Sequence, residues 1–343
     1  MLRSKFQIHL AMIISAIKTD KYTYVNIHAE EVVTSNYLEN DNSGIYGRRL
    51  QIITLNRIFE HLDKDTQRNI ILDFNHIERC QPNLNKTLID LKNKGYKLAF
   101  INLRKTVCDE LSLSTVSNTK TQLEGDVYSR FFFFENDKDD LTEIECDVPA
   151  LFNQTFKEKL IPFIESHGKP HTSSYVYLTS YVDIKKFLSY EREFMLFAIY
   201  KLALKIEKEW SVEIDKDPIL ICQSMNSAFI VSVLSNLLKL DILILDKIGP
   251  INKLYTRVDK TIVADRKYIV VSDLVCLGTE VKIVKTLIQF IGGKYLGNVS
   301  IIKTETLSKA DIKREEATIA VFSINRSNNK ELKYSITTDL EAL

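Results

Sequence analysis

The stretch KYIVVSDLVCLGTEV, residues 267–281, decides the fold of the carboxyl-terminal part of the chain. It begins with an apolar run typical of a buried strand and ends in an amphipathic helix that we predict to start near Thr279. Gly278 lies at the joint, where a left-handed turn costs a glycine no strain. A strand that turns directly into a helix presents main-chain N–H groups at the joint. We therefore predict an anion-binding loop.

Strands and helices alternate on both sides of this stretch. We predict a helix over 194–210, a strand over 218–222, a helix over 228–240 and a strand over 241–246, then a helix over 281–293 and a strand over 298–304. This alternation predicts a doubly wound α/β fold with a parallel sheet. Such sheets bind ligands outside the carboxyl ends of their strands, where the strand order reverses. The loop after strand 267–273 is therefore the first candidate site.

The first 145 residues are predicted to form a separate, smaller α/β domain. An acidic block after the apolar run 131–134 marks a boundary near residue 145, which gives domains 1–145 and 146–343. A strand over 69–74, a helix over 84–95 and a strand over 96–103 predict a parallel crossover. This pattern resembles a STAS-like domain over residues 20–120. Domains of this class mainly bind protein partners or small ligands, and the resemblance implies a docking or dimerisation module without chemistry of its own.

Composition excludes several classes of protein. Lys and Arg number 46 against 45 Asp and Glu, and a net charge of +1 gives no electrostatic footprint for duplex nucleic acid. The five cysteines are widely spaced and include no CxxC pair, so neither a disulfide framework nor a zinc ribbon is indicated. No stretch reaches the roughly 18 uncharged apolar residues of a membrane span. We expect a soluble, cytoplasmic protein without a membrane segment.

The segment VVSDLVCLGTEV resembles the loop that binds phosphoribosyl pyrophosphate (PRPP) in type I phosphoribosyltransferases. The family pattern is four apolar residues, two acids, two apolar residues and Thr-Thr-Gly-x-Thr. Asp273 falls on the second acid and Gly278 on the loop glycine. Ser272 replaces the first acid, Cys276 and Leu277 replace the threonine pair, and Glu280 replaces the last threonine. These departures predict a loop that has lost its original ligand or been retuned for another.

Two further segments resemble the orotate branch of that family. GKPHTSSYVYLTSYVD, residues 168–183, resembles the segment that lines the base pocket, and ILICQSMNSAFIVSVLS, residues 219–235, resembles the pyrophosphate loop and its helix. Asn226, Ser227 and Ala228 stand where the family has glycines. Residues 245–260 take the place of the lysine-bearing strand end and mobile loop, where Lys247 and Lys253 are candidate phosphate contacts. The resemblance spans residues 155–305.

The resemblance implies a protein that binds PRPP, a nucleotide or a related phosphoribosyl ligand, with divergent or lost transferase activity. If the protein is active, it implies Mg²⁺ with PRPP, ribose contacts by Asp273 as the catalytic residue, and a homodimer. The alternative is a non-catalytic nucleotide-sensing or protein-interaction subunit of a larger assembly. Plainer interpretations stay open, namely Asp273 as a helix cap, and His171 and Lys247 as ordinary surface residues. The candidate ligand-binding residues are Ser272, Asp273, Gly278, Thr279, Glu280, Lys247, Lys253, His171, Ser224, Asn226 and Ser227.

Overall fold

The chain divides into two compact units, Met1–Cys146 and Asp147–Leu343. The computed structural model describes residues 15–28, 49–62, 69–111, 123–124, 127–128, 132–133, 146–165, 170–171, 176–177, 181–214, 217–245, 262–276, 278–304 and 318–324. No helix among these residues is both long and apolar enough to cross a lipid bilayer.

The amino-terminal unit contains a five-stranded mixed sheet. Its strand order is β1-β2-β4-β6-β10, in which β2, β4 and β6 are parallel and the outer strands are antiparallel to their neighbours. Two small sheets, β3-β5 and β7-β9-β8, complete its described strands. The strands are β1 (Ser15–Lys18), β2 (Thr23–Asn26), β3 (Arg49–Leu50), β4 (Asn69–Asp73), β5 (Arg79–Cys80), β6 (Lys97–Ile101), β7 (Leu103–Arg104), β8 (Leu123–Glu124), β9 (Val127–Tyr128) and β10 (Phe132–Phe133), and the helices are α1 (Ile52–Leu62), α2 (Leu84–Asn93) and α3 (Lys105–Leu111).

The predicted crossover in this unit is confirmed. The strand, helix and strand predicted over 69–103 are β4, α2 and β6, and β4 pairs with β6 in parallel. Leu72 and Phe100 on the strands share one buried cluster with Leu88 on the helix, since each element has an apolar face toward the others. The amphipathic pattern of α2 therefore positions it on the sheet.

The carboxyl-terminal unit is built on a second five-stranded sheet. Its order is β16-β15-β17-β18-β19, and every pairing in it is parallel, which confirms the predicted parallel sheet. The strands are β11 (Ile164–Glu165), β12 (Pro170–His171), β13 (Val176–Tyr177), β14 (Tyr181–Val182), β15 (Ile219–Cys222), β16 (Ile242–Ile244), β17 (Lys267–Val275), β18 (Lys294–Thr304) and β19 (Ile319–Ile324), and the helices are α4 (Val148–Leu160), α5 (Ile184–Tyr190), α6 (Arg192–Glu209), α7 (Ser211–Ile214), α8 (Met225–Leu238) and α9 (Thr279–Phe290).

The strand order reverses between β15 and β17. From β15 the chain passes through α8 to β16 on one side, and β17 then lies on the other side of β15, followed outward by β18 and β19. Because parallel crossovers are right-handed, connections that run in opposite directions place α8 and α9 on opposite faces of the sheet. Residues of α9, including Val284 and Ile288, form one buried cluster with Tyr268 and Val270 of β17.

An aromatic cluster anchors α4 and α6. The ring of Phe156 on α4 stacks on Phe322 of β19 with 4.5 Å between centroids, and Phe152 lies 5.4 Å from Phe194 of α6. Aromatic pairs at such separations contribute about 0.5–1.5 kcal/mol beyond the area that they bury. The helix predicted over 194–210 is confirmed as α6, and its Phe194 packs against the rings of Phe152 and Phe156 on α4.

Candidate functional site

The reversal of strand order creates an open edge at the carboxyl ends of β15 and β17. These two strands are hydrogen-bonded neighbours, and each leads into a helix that begins at this edge. Ile221 of β15 pairs with Val270, so the chain after Cys222 and the last residues of β17 lie beside one another. This is the position at which parallel α/β sheets usually bind ligands.

Helix α8 begins three residues before the predicted start at Ala228. Ser224 is in an extended conformation, and its side-chain oxygen accepts the N–H of Ser227 at 3.0 Å. This N-cap satisfies one of the amides that lack a partner in the first turn of a helix. Asn226 and Ser227 therefore lie in the first turn of α8, and only Gln223 and Ser224 separate the helix from β15.

Asp273 is held by the first turn of α8. Asn226 Nδ2 donates to Asp273 Oδ2 at 3.0 Å, and Ser227 Oγ lies 3.4 Å from Oδ1. The N–H of Asp273 donates to Ser227 Oγ at 3.0 Å, and the N–H of Leu274 donates to Oδ1 at 2.9 Å. Ser224 Oγ donates to Ser227 Oγ at 2.7 Å and completes the network. The carboxylate is fixed in one orientation at the sheet edge.

The amino end of α8 keeps hydrogen-bonding capacity beyond this network. Within the part of the chain that the structure describes, the main-chain N–H groups of Met225 and Asn226 have no acceptor. Gln223 Oε1 is fully buried, and none of the described residues gives it a hydrogen-bond partner. Gln223 and Met225 were not among the residues predicted from the sequence. Their position between a buried strand and a serine-capped helix is the signal that could have indicated them.

The second helix at this edge, α9, begins at Thr279 as predicted. Gly278 occupies the N-cap position with φ +69°, and as a glycine it has no side chain to accept a hydrogen bond from the first turn. A Cβ added to Gly278 would meet no atom within 4 Å, apart from its chain neighbours, so the space beside the loop is open. The N–H groups of Thr279, Glu280 and Val281 find no acceptor among the described residues. The exposed Glu280 lies in the same first turn.

Cys222 and Ser272 border the site without opening into it. Burial raises the pKa of the Cys222 thiol from 9.0 to about 11, and the negative charge of Asp273 adds to the effect. The thiol is therefore protonated at neutral pH. Ser272 is only 7% exposed, and because successive strand residues face opposite sides of a sheet, it lies on the face away from Asp273.

The remaining predicted residues are not placed at this edge. Lys247, Lys253 and Leu277 lie outside the described residues. His171 is part of β12, which pairs with β13, and its side chain is not among those described. The structure thus brings together Ser224, Asn226, Ser227 and Asp273, and places Gly278, Thr279 and Glu280 at the end of the neighbouring strand.

The described residues do not form a built Mg²⁺ centre. No group of three or more His, Cys, Asp or Glu side chains in the described ranges could hold a metal ion. The Asp273 oxygens already accept hydrogen bonds from Asn226 and Leu274. Mg²⁺ often keeps one or two protein carboxylates and takes its other ligands from water and substrate phosphates, so Mg²⁺ carried by PRPP stays a prediction.

Comparisons with known proteins place the likeness in the fold alone. The chain matches no protein-family model, and no curated protein matches its sequence. Among solved structures, the orotate phosphoribosyltransferase of Mycobacterium tuberculosis in complex with Fe(III) dicitrate is 14% identical over 50% of this chain and 97% of that chain, with a TM-score of 0.37. The adenine phosphoribosyltransferase of Thermoanaerobacter pseudethanolicus is 12% identical over 48% and 98%, also with a TM-score of 0.37. The HGPRT-ase of Leishmania tarentolae in complex with GMP is 19% identical over 39% and 79%, with a TM-score of 0.32.

About half of the chain is thus distantly similar in structure to these phosphoribosyltransferases. They do not test which residues bind a ligand or whether the chain catalyses a transfer. The STAS-like resemblance of the amino-terminal unit finds no support among them.

Proposed function

We propose that the carboxyl-terminal unit binds a phosphorylated ribose compound, PRPP or a nucleotide, at the carboxyl edge of β15 and β17. The observation that carries the proposal is the convergence of two helix amino ends on one sheet edge. The main-chain N–H groups of Met225 and Asn226 on α8, and of Thr279, Glu280 and Val281 on α9, find no acceptor among the described residues. Such amides, together with the helix dipoles, favour a phosphate group.

Asp273 supplies the complementary contact to the sugar. Its Oδ2 accepts one hydrogen bond, from Asn226, and has further acceptor capacity for a ribose hydroxyl. Its orientation is fixed before the ligand arrives, so little conformational entropy is lost on binding. Open space beside Gly278 gives a phosphate close access to the main chain of the loop.

Binding without transfer is favoured over active catalysis. The side chains of Asn226 and Ser227 donate to Asp273 and so are engaged within the protein. Glu280 places a carboxylate in the first turn of α9. Repulsion between this charge and a phosphate about 4 Å away costs about 1 kcal/mol per charge pair in water. A nucleotide-sensing subunit fits these features, and the amino-terminal unit is proposed to dock a protein partner.

Calorimetric titration of the full chain with PRPP and with nucleoside 5′-monophosphates tests the proposal. We expect saturable binding of at least one compound, with affinity reduced about tenfold or more in Asp273→Ala. Asp241→Asn removes an exposed carboxylate elsewhere in the unit and serves as the control. Absence of saturable binding by all these compounds would reject the proposal.

A pyrophosphate-release assay with PRPP and the common bases separates the two candidate functions. Release that is lost in Asp273→Ala identifies a transferase. Binding without release from any base identifies a sensor. Each reaction includes Mg²⁺, so the assay does not depend on a metal site built by the protein.

A further inference from the structure

The amino-terminal unit has its own polar cluster at the carboxyl ends of parallel strands. Asn26 at the end of β2 is the register partner of Asp73 at the end of β4, and Tyr24 precedes Asn26 by two residues on the same face. Asn26 is 8% exposed, Asp73 is 3% exposed and Tyr24 is fully buried. Neighbouring strands lie about 5 Å apart, so the Asn26 and Asp73 side chains are adjacent.

Asp73 is a buried carboxylate surrounded by neutral donors. Tyr24 Oη donates to Oδ2 at 2.7 Å. Asn102 Nδ2 donates to Oδ1 at 2.8 Å, and the N–H of Asn75 donates to the same oxygen at 3.0 Å. Among the described residues no lysine, arginine or histidine forms an ion pair with Asp73. Burial of a carboxylate without a positive partner costs free energy, which a bound cation would offset.

The hydroxyl of Tyr24 fixes the orientation of Asn26. A tyrosine hydroxyl has a single proton, and that of Tyr24 is donated to Asp73 Oδ2. Tyr24 Oη must therefore accept from Asn26 Nδ2, at 3.2 Å. This leaves Asn26 Oδ1 as a buried acceptor without a partner in the described structure. Such orphaned buried atoms are rare in folded proteins.

We propose that this cluster binds a small monovalent cation, with Asn26 Oδ1 as a ligand and Asp73 as the compensating charge. The remaining capacity on Asn26 Oδ1, Asp73 Oδ2 and Tyr24 Oη is for donors or cations. These oxygens have only lone pairs left to offer, so they would repel an anion. A single carboxylate balances one positive charge, whereas protein Ca²⁺ sites commonly use several oxygen ligands including carboxylates. This site is separate from the proposed phosphoribosyl site and does not depend on it.

Thallium(I) is the direct probe, because it replaces K⁺ and scatters X-rays anomalously. Crystals of the full chain grown without Na⁺ or K⁺ and then soaked in a thallium(I) salt are expected to show an anomalous peak at Asn26 Oδ1, beside Asp73. Electron density at this position without an anomalous signal would identify a water molecule and would overturn the proposal.

Thermal unfolding in solution gives a second measurement. Chloride salts of Na⁺, K⁺ and NH₄⁺ are compared with N-methyl-D-glucamine, which is too large for the site, at equal ionic strength. We expect at least one small cation to raise the unfolding midpoint of the full chain in a saturable manner. The isosteric change Asp73→Asn should abolish this rise, and Asp90→Asn, on the exposed side of α2, should retain it.

A second variant, which changes the charge of the site, keeps the experiment informative if Asp73→Asn fails to fold. Asn26→Asp adds a second carboxylate beside Asp73, so a divalent cation such as Ca²⁺ should replace the monovalent cations as the ion that raises the unfolding midpoint. An unchanged cation dependence in both Asp73→Asn and Asn26→Asp would overturn the proposal.

Discussion

Ser227 and Asp273 hydrogen-bond each other through two different pairs of atoms. The main-chain N–H of Asp273 donates to Ser227 Oγ at 3.0 Å, while the same hydroxyl lies 3.4 Å from the Asp273 carboxylate. Ser227 is 2% exposed, so these contacts form in a nearly dry environment. They join the first turn of α8 to the carboxyl end of β17 and set the position of the carboxylate on which the proposed site depends.

Replacement of Ser227 by alanine should destabilise the carboxyl-terminal unit by about 1–3 kcal/mol, because the partly buried N–H of Asp273 loses its acceptor. Urea unfolding followed by fluorescence of Trp210, the only tryptophan of the chain, measures this change. Ser232→Ala, on the exposed side of the same helix, should change stability by less than about 0.5 kcal/mol. Equal effects of the two changes would contradict a supporting role for Ser227.

Replacement of Glu280 by threonine should raise affinity for PRPP about fivefold, since removal of one charge near a phosphate relieves about 1 kcal/mol of repulsion. Glu280→Gln removes the charge but keeps the shape of the side chain, so it should give most of the increase in PRPP affinity. The gain should shrink at high salt, because exposed charges are screened. Calorimetric titration at two salt concentrations checks this, and lower affinity in both variants would show that Glu280 favours the ligand.

Alkaline pH should destabilise the carboxyl-terminal unit through Cys222. Burial and the charge of Asp273 raise its pKa from 9.0 to about 11. The contribution of the protonated thiol to the free energy of unfolding is therefore fully present below pH 9 and is lost as the pH rises toward 11. A shift of this size corresponds to about 3 kcal/mol. In Cys222→Ala, urea unfolding monitored by Trp210 should show a shallower loss over this range. Cys108→Ala, in the other unit, should leave the Trp210 profile unchanged.

The single tryptophan packs directly on the main chain of β18. A Cβ at Gly297 would lie 2.5 Å from Cζ2 of Trp210, so Gly297→Ala forces the ring to move. Overpacking of this kind costs about 1–3 kcal/mol and should shift the Trp210 emission maximum. The second change Trp210→Phe should restore much of the stability, measured as coupling in a double-mutant cycle. Additive effects would show that the two residues do not compete for the same space.

Local sequence patterns predicted the central elements well. The apolar run before Asp273 became β17, although the strand extends two residues further to Val275. The start of α9 at Thr279 followed from the left-handed turn at Gly278. The end of α2, at Asn93, followed from the preference for a left-handed glycine just after a helix, which Gly95 supplies. Long, strongly apolar strands bounded by glycine are the features that a sequence specifies most directly.

Other features depended on contacts that periodicity does not show. Helix α8 begins at Met225 because Ser224 caps it, whereas the apolar pattern begins only at Ala228. Strand β18 begins at Lys294, four residues before the predicted start, because its less buried first half also pairs with β17, across a register shift near Tyr268 and Ile269. The hydrogen bonds of Asn226 and Ser227 to Asp273 span 47 and 46 residues, so no local motif predicted them.

Amide hydrogen exchange with and without a saturating nucleoside 5′-monophosphate or PRPP tests the central claim most directly, because it reports on the main-chain N–H groups proposed to hold the phosphate. We predict slower exchange in peptides that contain Met225 and Asn226 and in those that contain Gly278 to Val281, with none of this protection in Asp273→Ala. Unchanged exchange in both regions, or protection confined to other parts of the chain, would contradict the account.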